Sequence, residues 1–241
     1  MHTTDTAEMP GSITVAEVAL SFPGALEVLK HHQLDYCCGG KKPFAEVCAS
    51  QGLNPKSIWD ELQFTLQSSG TDLRMRFDTW ETPFLIDFIL QHHHAYIRNA
   101  IPEILALLNK MCSVHGDEKP WLLDVRQVFG ALAEELIRHM PKEEEILFPA
   151  MKSIAAGSAG DAAINFGLSG PIAAMEHEHE SAGTLIKQLR KLTHQYRAPA
   201  DACTTFRACY MLLSQFDQDL MQHIHLENNI LFPRATQIHF Q

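Results

Sequence analysis

Apolar residues recur at intervals of three and four along most of the second half of the chain, which is the spacing of an amphipathic α-helix. No stretch alternates apolar and polar residues as a strand would, so the pattern predicts an all-α protein. Proline and glycine divide this half into four long helices, predicted over residues 82–112, 120–154, 171–196 and 203–232. Two further prolines, Pro102 and Pro141, fall inside the first and second of these helices, where we expect kinks rather than breaks.

The beginning of the chain shows shorter helical patterns. Thr14 with Glu17 forms a capping box, in which each side chain bonds the backbone of the other residue at a helix N-terminus. Asn54 followed by Pro55 places a capping residue before a proline at the first helical position. We therefore expect a small helical N-terminal domain over residues 1–70.

A polar segment with linker composition, Ser68-Ser69-Gly70, separates the two halves of the chain. We place the domain boundary between Ser68 and Trp80. The second predicted domain then covers residues 80–241 and contains all four long helices.

This second domain contains an internal repeat. The pattern His-x3-Glu-x2-Ile-Leu-Phe-Pro occurs in the second long helix from His139 and again in the fourth from His223. His94 in the first helix and His179 in the third are separated by nearly the same interval. Two successive helix pairs of one design predict an up-down-up-down four-helix bundle with pseudo-twofold symmetry.

Each long helix carries one of these histidines on its apolar face, which a bundle buries in its core. In the second and fourth helices, a glutamate follows the histidine one turn later on the same face. Buried polar side chains are costly unless they are satisfied, and residues that converge in one core layer can satisfy one another by binding metal. The predicted metal ligands are His94, His139, Glu143, His179, His223 and Glu227.

Four imidazoles and two carboxylates are too many ligands for one tetrahedral zinc ion. They fit two metal ions, each bound by two imidazoles and bridged by both carboxylates. Imidazole and carboxylate suit iron, manganese or zinc, and paired carboxylates inside a helical bundle are most typical of di-iron centres. We therefore expect two non-haem iron ions as cofactor, although the His-x3-Glu order differs from the Glu-x-x-His motif of ferritin-like sites.

Other histidines of the helices are predicted to lie outside the metal site. His92 falls off the apolar face and is expected in solvent, whereas His93 lies nearer the core and stays a rival of His94. His177 and His225 lie two residues from predicted ligands, roughly on the opposite helix face, and are expected at the surface. A single histidine on an apolar face is more often a satisfied core residue than a ligand, so the matching register of four histidines carries the metal prediction.

Two acidic residues near the predicted ligands admit two interpretations. Glu135 lies on the apolar face of its helix, and Glu178 directly precedes His179. Each can orient a ligand or line an access channel and so contribute to catalysis. Each can equally be an ordinary carboxylate at the boundary of the core.

The second unusual motif is the adjacent pair Cys37-Cys38, which precedes two glycines in a predicted exposed turn. Adjacent cysteines are badly placed for an ordinary disulfide with each other. The pair is therefore either two small buried side chains or a pair of accessible thiols for redox chemistry or iron handling.

Composition narrows the class of protein. The chain has 241 residues, is 46% apolar and carries a formal net charge of −10, so nucleic acid and an anionic membrane surface are poor partners. No apolar run is long enough to span a bilayer, and residues 1–11 lack the apolar segment of a signal peptide. We expect a cytoplasmic protein whose six cysteines are reduced thiols.

Two signatures together resemble a known family. The turn Asp-Tyr-Cys-Cys-Gly-Gly at 35–40, followed by a hemerythrin-like bundle that ends in His-x3-Glu-Asn-Asn-Ile-Leu-Phe-Pro at 223–233, is similar to the iron–sulfur cluster repair di-iron proteins of the RIC family. The resemblance covers nearly the whole chain. It implies a di-iron centre with the four histidines as terminal ligands, Glu143 and Glu227 as bridges, and a functional role for the cysteine pair.

The resemblance also implies a function, the repair of iron–sulfur clusters damaged by nitric oxide or oxidants. The partners implied are damaged iron–sulfur proteins or their assembly machinery, with nitric oxide or O₂ as small ligand. A homodimer is also compatible with the sequence. A nitric oxide reductase-type activity would need an electron donor that the sequence does not identify, so enzymatic turnover stays open. Two alternatives are a hemerythrin-like module that reversibly binds or senses O₂ or nitric oxide, and a metal-free interaction bundle with hydrogen-bonded histidines.

Overall fold

The computed structural model of the chain describes residues 9–22, 24–68, 75–157 and 167–237. Within these ranges the regular structure is helical, and the bridge between Thr14 and Pro43 belongs to no strand. The prediction of an all-α protein is therefore confirmed. The predicted linker residues Ser69 and Gly70, and most of the loop between the second and third long helices, lie outside the described residues.

Between residues 9 and 68, the described part of the N-terminal region forms four short helices: α1 (Val15–Ser21), α2 (Ala25–His31), α3 (Phe44–Ser50) and α4 (Pro55–Ser68). The predicted capping box at α1 is present, because the Thr14 hydroxyl accepts from the Glu17 N–H at 3.2 Å and the Glu17 carboxylate accepts from the Thr14 N–H at 2.8 Å. At α4, the Asn54 side-chain oxygen accepts from the Lys56 N–H at 2.9 Å. These contacts satisfy backbone donors that a helix start leaves free.

Four long helices form the bundle, and three of them contain a π-helical segment. The bounds are Thr82–Phe88, π-helical Ile89–His94 and Ala95–His115 for α5; Trp121–Lys142, π-helical Glu143–Leu147 and Phe148–Ala155 for α6; Ser169–Leu192 for α7; and Thr204–Leu226, π-helical Glu227–Leu231 and Phe232–Gln237 for α8. Helix α6 packs between α5 and α7, and α5 also packs against α8. This is the predicted hemerythrin-like bundle, preceded by a small helical region.

The π-helical segments coincide with predicted metal ligands. One ends at His94, and the other two begin at Glu143 and Glu227. A Phe-Pro pair follows each of the latter two, and the prolines, Pro149 and Pro233, have no N–H to continue regular α-helical bonding. Such wide turns are rare in proteins as a whole, but those that occur are often found at functional sites.

The predicted helix ends differ from the structure by a few residues, and α8 continues past residue 232 to Gln237. Neither Pro102 nor Pro141 breaks its helix. Helix α7, however, ends at Leu192 rather than near residue 196, because residues 194–196 all adopt a left-handed backbone with φ between 50° and 60°. These residues reverse the chain before α8.

Two apolar clusters form the core, and a polar layer lies between them. The first cluster contains Leu34 and Tyr36 together with bundle residues such as Ile97 and Met221, so the N-terminal helices and one end of the bundle share a core. The second lies at the other end and includes Phe148 and its neighbours. In the part of the chain that the structure describes, no helix is long and apolar enough to cross a membrane.

Candidate metal centre

The polar layer between the two apolar clusters contains all six predicted ligands. Their side chains are at most 3% exposed. Their ligand atoms form two groups, and the atoms of each group lie within 4.8 Å of one another. One group consists of His94, His223, Glu143 and Glu227, and the other of His139, His179, Glu143 and Glu227. Both carboxylates are therefore shared between two pairs of imidazoles.

Glu143 connects two imidazoles from different pairs. Its Oε2 atom lies 3.4 Å from Nε2 of His94 and 3.2 Å from Nε2 of His139. His139 and Glu143 lie one turn apart on α6, which is the spacing that places two side chains on one helix face. The carboxylate therefore lies between the two halves of the site.

Glu227 makes the equivalent contacts from α8. Its Oε1 lies 2.9 Å from Nε2 of His223, and its Oε2 lies 3.2 Å from Nε2 of His179. Within the pairs, the two Nε2 atoms of His94 and His223 are 3.2 Å apart, and those of the other pair are 3.1 Å apart. All four rings thus turn Nε2 toward the carboxylates.

The donor set of this site fits metal ions. Both oxygens of Glu143 and Oε2 of Glu227 are buried and have no hydrogen-bond partner among the described residues. A buried carboxylate oxygen without a donor is costly, and a bound cation removes that cost. Nitrogen and carboxylate ligands in this number suit a pair of first-row transition ions.

Electrostatic interactions with the neighbouring imidazoles keep the buried carboxylates of the cluster charged. Burial and Glu227 raise the pKa of Glu143, but the imidazoles of His139 and His94 outweigh them and lower it. Burial lowers the pKa of His139, but Glu143 and its neighbours outweigh burial and raise it to about 9. At His223 burial dominates and the pKa is lowered. Metal binding must therefore displace protons from part of the cluster.

Three of the four imidazoles are held on their outer edge through Nδ1. The contacts are His94 to Glu144 at 2.6 Å, His139 to Glu178 at 2.8 Å, and His179 to the side-chain oxygen of Asn228 at 2.8 Å. An acceptor at Nδ1 fixes the tautomer that offers Nε2 to a metal. The Nδ1 atom of His223 has no such partner among the described residues.

Glu144 and Asn228 were not predicted from the sequence. Each directly follows one of the carboxylates of the cluster, and the two occupy equivalent positions of the internal repeat. Each reaches the histidine of a neighbouring helix rather than the one on its own helix. The internal repeat could have identified these two residues, because a polar residue directly follows the glutamate in both copies.

Glu178 and Glu135 both line a cavity of about 270 Å³ that opens to solvent beside His139 and His179. Glu178 also contacts the Lys142 ammonium, so a lysine accompanies the partner of His139. Glu135 instead accepts a hydrogen bond from the Ser181 hydroxyl at 3.2 Å. Glu178 thus touches a predicted ligand, whereas Glu135 belongs to the cavity wall.

His93 is fully buried but lies outside the six-residue cluster. Its Nδ1 lies 2.9 Å from Oδ1 of Asp219, and its ring stacks parallel on that of His223 with centroids 5.6 Å apart. His94 is the residue that faces Glu143. The sequence alone left these two neighbours as rivals, and the structure separates them.

His177 and His225 were both predicted to lie at the surface. The prediction is confirmed for His177, whose side chain is 85% exposed. It is wrong for His225, which is 3% exposed. The N-terminal helical region covers this face of α8, and the ring of Tyr36 packs edge-on against His225. The Asn229 amide also lies 2.8 Å from its Nδ1. Burial lowers the pKa of His225 to about 4.

The predicted exposed turn around the cysteine pair is also wrong, because the turn packs against the bundle. Cys37 is 3% exposed and its Sγ lies 3.2 Å from Sδ of Met221. Cys38 is half-buried, and its thiol donates to the carbonyl oxygen of His179 at 3.2 Å. Both thiols are free. Of the two interpretations left open, small buried side chains describe Cys37.

Comparison with known proteins agrees with this architecture. The chain matches the Hemerythrin HHE cation binding domain over residues 85–235 and a Domain of Unknown function (DUF542) over residues 11–65. The Iron-sulfur cluster repair protein YtfE of Yersinia pseudotuberculosis serotype O:1b (strain IP 31758) is 37% identical over 226 residues, which are 93% of this chain and 96% of that protein. The protein of the same name from Yersinia pestis (strain Pestoides F) is 36% identical over the same shares. The chain therefore belongs to the hemerythrin HHE family of cation-binding domains and to the family of the YtfE iron–sulfur cluster repair proteins.

Proposed function

We propose that this chain binds two iron ions at the six-residue cluster and repairs iron–sulfur clusters damaged by nitrosative or oxidative stress. One observation carries the proposal: Glu143 and Glu227 are shared between two pairs of buried imidazoles. A carboxylate-bridged metal pair needs this arrangement. The name of the relatives, iron–sulfur cluster repair protein, supports the biological role.

The chain's own residues would hold the metal pair and keep it dry. Glu143 and Glu227 would bridge the two ions, while two imidazoles complete the protein ligands of each. Glu178 orients His139 from outside, which favours the tautomer that binds metal. When bound, the iron pair supplies coordination positions for a small ligand and is itself a store of the element that a damaged cluster has lost.

The cavity beside His139 and His179 supports a reaction with a small ligand. The cavity has a volume of about 270 Å³, which is ample for nitric oxide or O₂, and it opens to solvent. The same cavity would serve reversible gas binding, which is the second candidate function. If the chain supplies iron, in contrast, metal must be transferred from it to a damaged protein.

The test is repair of an iron–sulfur hydro-lyase that nitric oxide has inactivated. We expect the iron-loaded chain to restore hydro-lyase activity under anaerobic conditions. A His139→Leu, His223→Leu double variant should lose both iron and repair. The matched control is His177→Leu, because this histidine is exposed and lies on the same helix as His179.

Two outcomes would contradict the proposal. One is full repair and full iron content in the double variant. The other is reversible binding of nitric oxide by the wild-type chain without any recovery of the hydro-lyase, which would favour the gas-binding module.

A further inference from the structure

We propose that His92, His93 and Asp219 form an additional binding site for a single divalent transition-metal ion, such as ferrous iron, beside the six-residue cluster. The two histidines lie in the π-helical segment of α5, and the aspartate lies on α8. Each residue offers a ligand atom, and the three atoms lie within 4.8 Å of one another. Two imidazoles with one carboxylate are a ligand set that iron, zinc and manganese accept.

Unpartnered polar atoms point to a ligand at this place. His93 is 0% exposed, and its Nδ1 lies 2.9 Å from Oδ1 of Asp219. Yet Nε2 of His93 and Oδ2 of Asp219 are buried and have no hydrogen-bond partner among the described residues. The ring of His92 meets that of His93 edge-on at 4.9 Å and reaches solvent. A cation at this group would give the buried Oδ2 atom of Asp219 a partner.

The internal repeat shows that the two halves of the bundle differ mainly at the position of His93. Counted from the ligand histidines, the equivalents of His92, His93 and Asp219 in the other half are His177, Glu178 and Glu135. There, Glu178 holds Nδ1 of His139 directly. His93 does not do this for His223: the two rings stack parallel, and Nδ1 of His223 is left without a partner among the described residues. The imidazole of His93 therefore does not orient His223, and its Nε2 has no partner among the described residues.

The position of the group suggests a task for the site. His92 is exposed, His93 is fully buried, and the ring of His93 stacks on His223 of the cluster. A ferrous ion bound here would lie between solvent and the buried cluster. We assign the site to loading or release of iron, and this role rests on the proposed metal pair, whereas the existence of the site does not.

The experiment is an anaerobic titration of the metal-free, full-length chain with Co²⁺, whose visible absorption reports the coordination geometry of the bound ion. Bound cobalt is counted by mass spectrometry after equilibrium dialysis. We expect about three ions per wild-type chain, two at the cluster and one at the additional site. The His92→Ala variant should keep two, with affinity for the third lowered at least about tenfold.

The matched control is His177→Ala, which removes an exposed imidazole at the equivalent position of the other half and should leave about three ions bound. His92 is exposed, so its replacement leaves the core intact. Asp219→Asn provides a second variant, with the helical content of both checked by circular dichroism.

The outcomes separate this site from the metal pair. Two ions in both wild type and His92→Ala would overturn the additional site and leave the pair standing. A single ion in wild type that is lost in His92→Ala would support the additional site and contradict the pair. Three ions bound with equal affinity in both proteins would overturn the assignment of the third ion to His92.

Discussion

The thiol of Cys38 lies 3.2 Å from the carbonyl oxygen of His179, so the N-terminal turn touches a residue whose imidazole belongs to the buried cluster. Asn228 makes a second link, because its side-chain oxygen accepts from Nδ1 of His179 and its amide donates to the carbonyl oxygen of Cys37 at 3.4 Å. The cysteine turn is thus part of the surroundings of the cluster. Any change at this turn acts on a helix that carries a ligand histidine.

The packing of the turn predicts that Cys37 is chemically inert in the folded protein. The hydrogen bond to Cys38 and burial raise the pKa of the Cys37 thiol well above its usual range. We expect iodoacetamide to label Cys37 at least about tenfold more slowly than the exposed Cys203, because the thiolate is the reactive form. Labelling rates are measured by mass spectrometry of the native protein, with urea-unfolded protein as control. Equal rates in the native protein would contradict the docked turn.

The close approach of the turn to α1 predicts the effect of a single methyl group at Gly40. A Cβ there would lie 2.7 Å from the carbonyl oxygen of Tyr36 and 3.0 Å from Cβ of Ala16, so the backbone must shift. We expect Gly40→Ala to lower the free energy of unfolding by about 1–3 kcal/mol.

The control for this prediction is Gly130→Ala in the middle of α6, where a Cβ meets no atom within 4 Å. That change should raise the free energy of unfolding by about 0.5–1 kcal/mol, since alanine is the better helix former. Urea titration measures both variants. A neutral Gly40→Ala variant would show that the turn does not pack as described.

The contact of Glu178 with His139 predicts a loss of metal affinity on its removal. Glu178→Ala deletes the acceptor that fixes the histidine tautomer, and we expect metal affinity to fall by about 10–100-fold. Glu180→Ala is the matched control, because Glu180 is exposed and its described ion pair is with His177 at 4.0 Å. Competition with a chelator gives both affinities. Equal affinities in the two variants would exclude an orienting role for Glu178.

Acid should destabilise the folded chain through Asp35. Burial raises the pKa of this carboxyl, but the Lys187 ammonium at 2.7 Å and the N–H of Gly39 outweigh burial and lower it to about 2. The folded pKa lies below the unfolded value of 3.8, so the stabilisation is complete above the unfolded pKa and is lost as pH falls through about 2. The full contribution is about 2 kcal/mol.

Comparison of wild type with Asp35→Asn isolates this contribution from other carboxylates. The free energy of unfolding of each protein is measured near neutral pH and at successively lower pH. We expect the advantage of wild type to shrink as pH falls below the unfolded pKa of Asp35. An advantage that does not change with pH would show that the ion pair with Lys187 does not hold Asp35 ionised.

The six residues of the cluster could be predicted from the sequence because the apolar positions of each helix identify the face that the bundle buries. An apolar face interrupted by one histidine is visible without knowledge of the neighbours, and the His-x3-Glu spacing places His139 and Glu143 on one face. The repeat then relates the two helix pairs. These are local properties, and they led to both the bundle and the site.

Properties that depend on contacts between distant parts of the chain were not predicted. His225 lies roughly opposite the ligand face of α8, and the ring of Tyr36 from the N-terminal region packs against it. Glu144 and Asn228 reach histidines of neighbouring helices, which depends on helix packing and on the wide π-helical turns. The exposed-turn prediction for Cys37 failed for the same reason, since its covering residue, Met221, is remote in sequence.

The most direct measurement is the iron content and Mössbauer spectrum of the anaerobically purified chain. We predict about two iron ions per chain, antiferromagnetically coupled, as expected for a carboxylate-bridged pair. Both should be lost in His223→Leu and retained in His177→Leu. A single zinc ion or no metal in the wild-type protein would contradict the metal pair and leave the four buried histidines as hydrogen-bonded core residues.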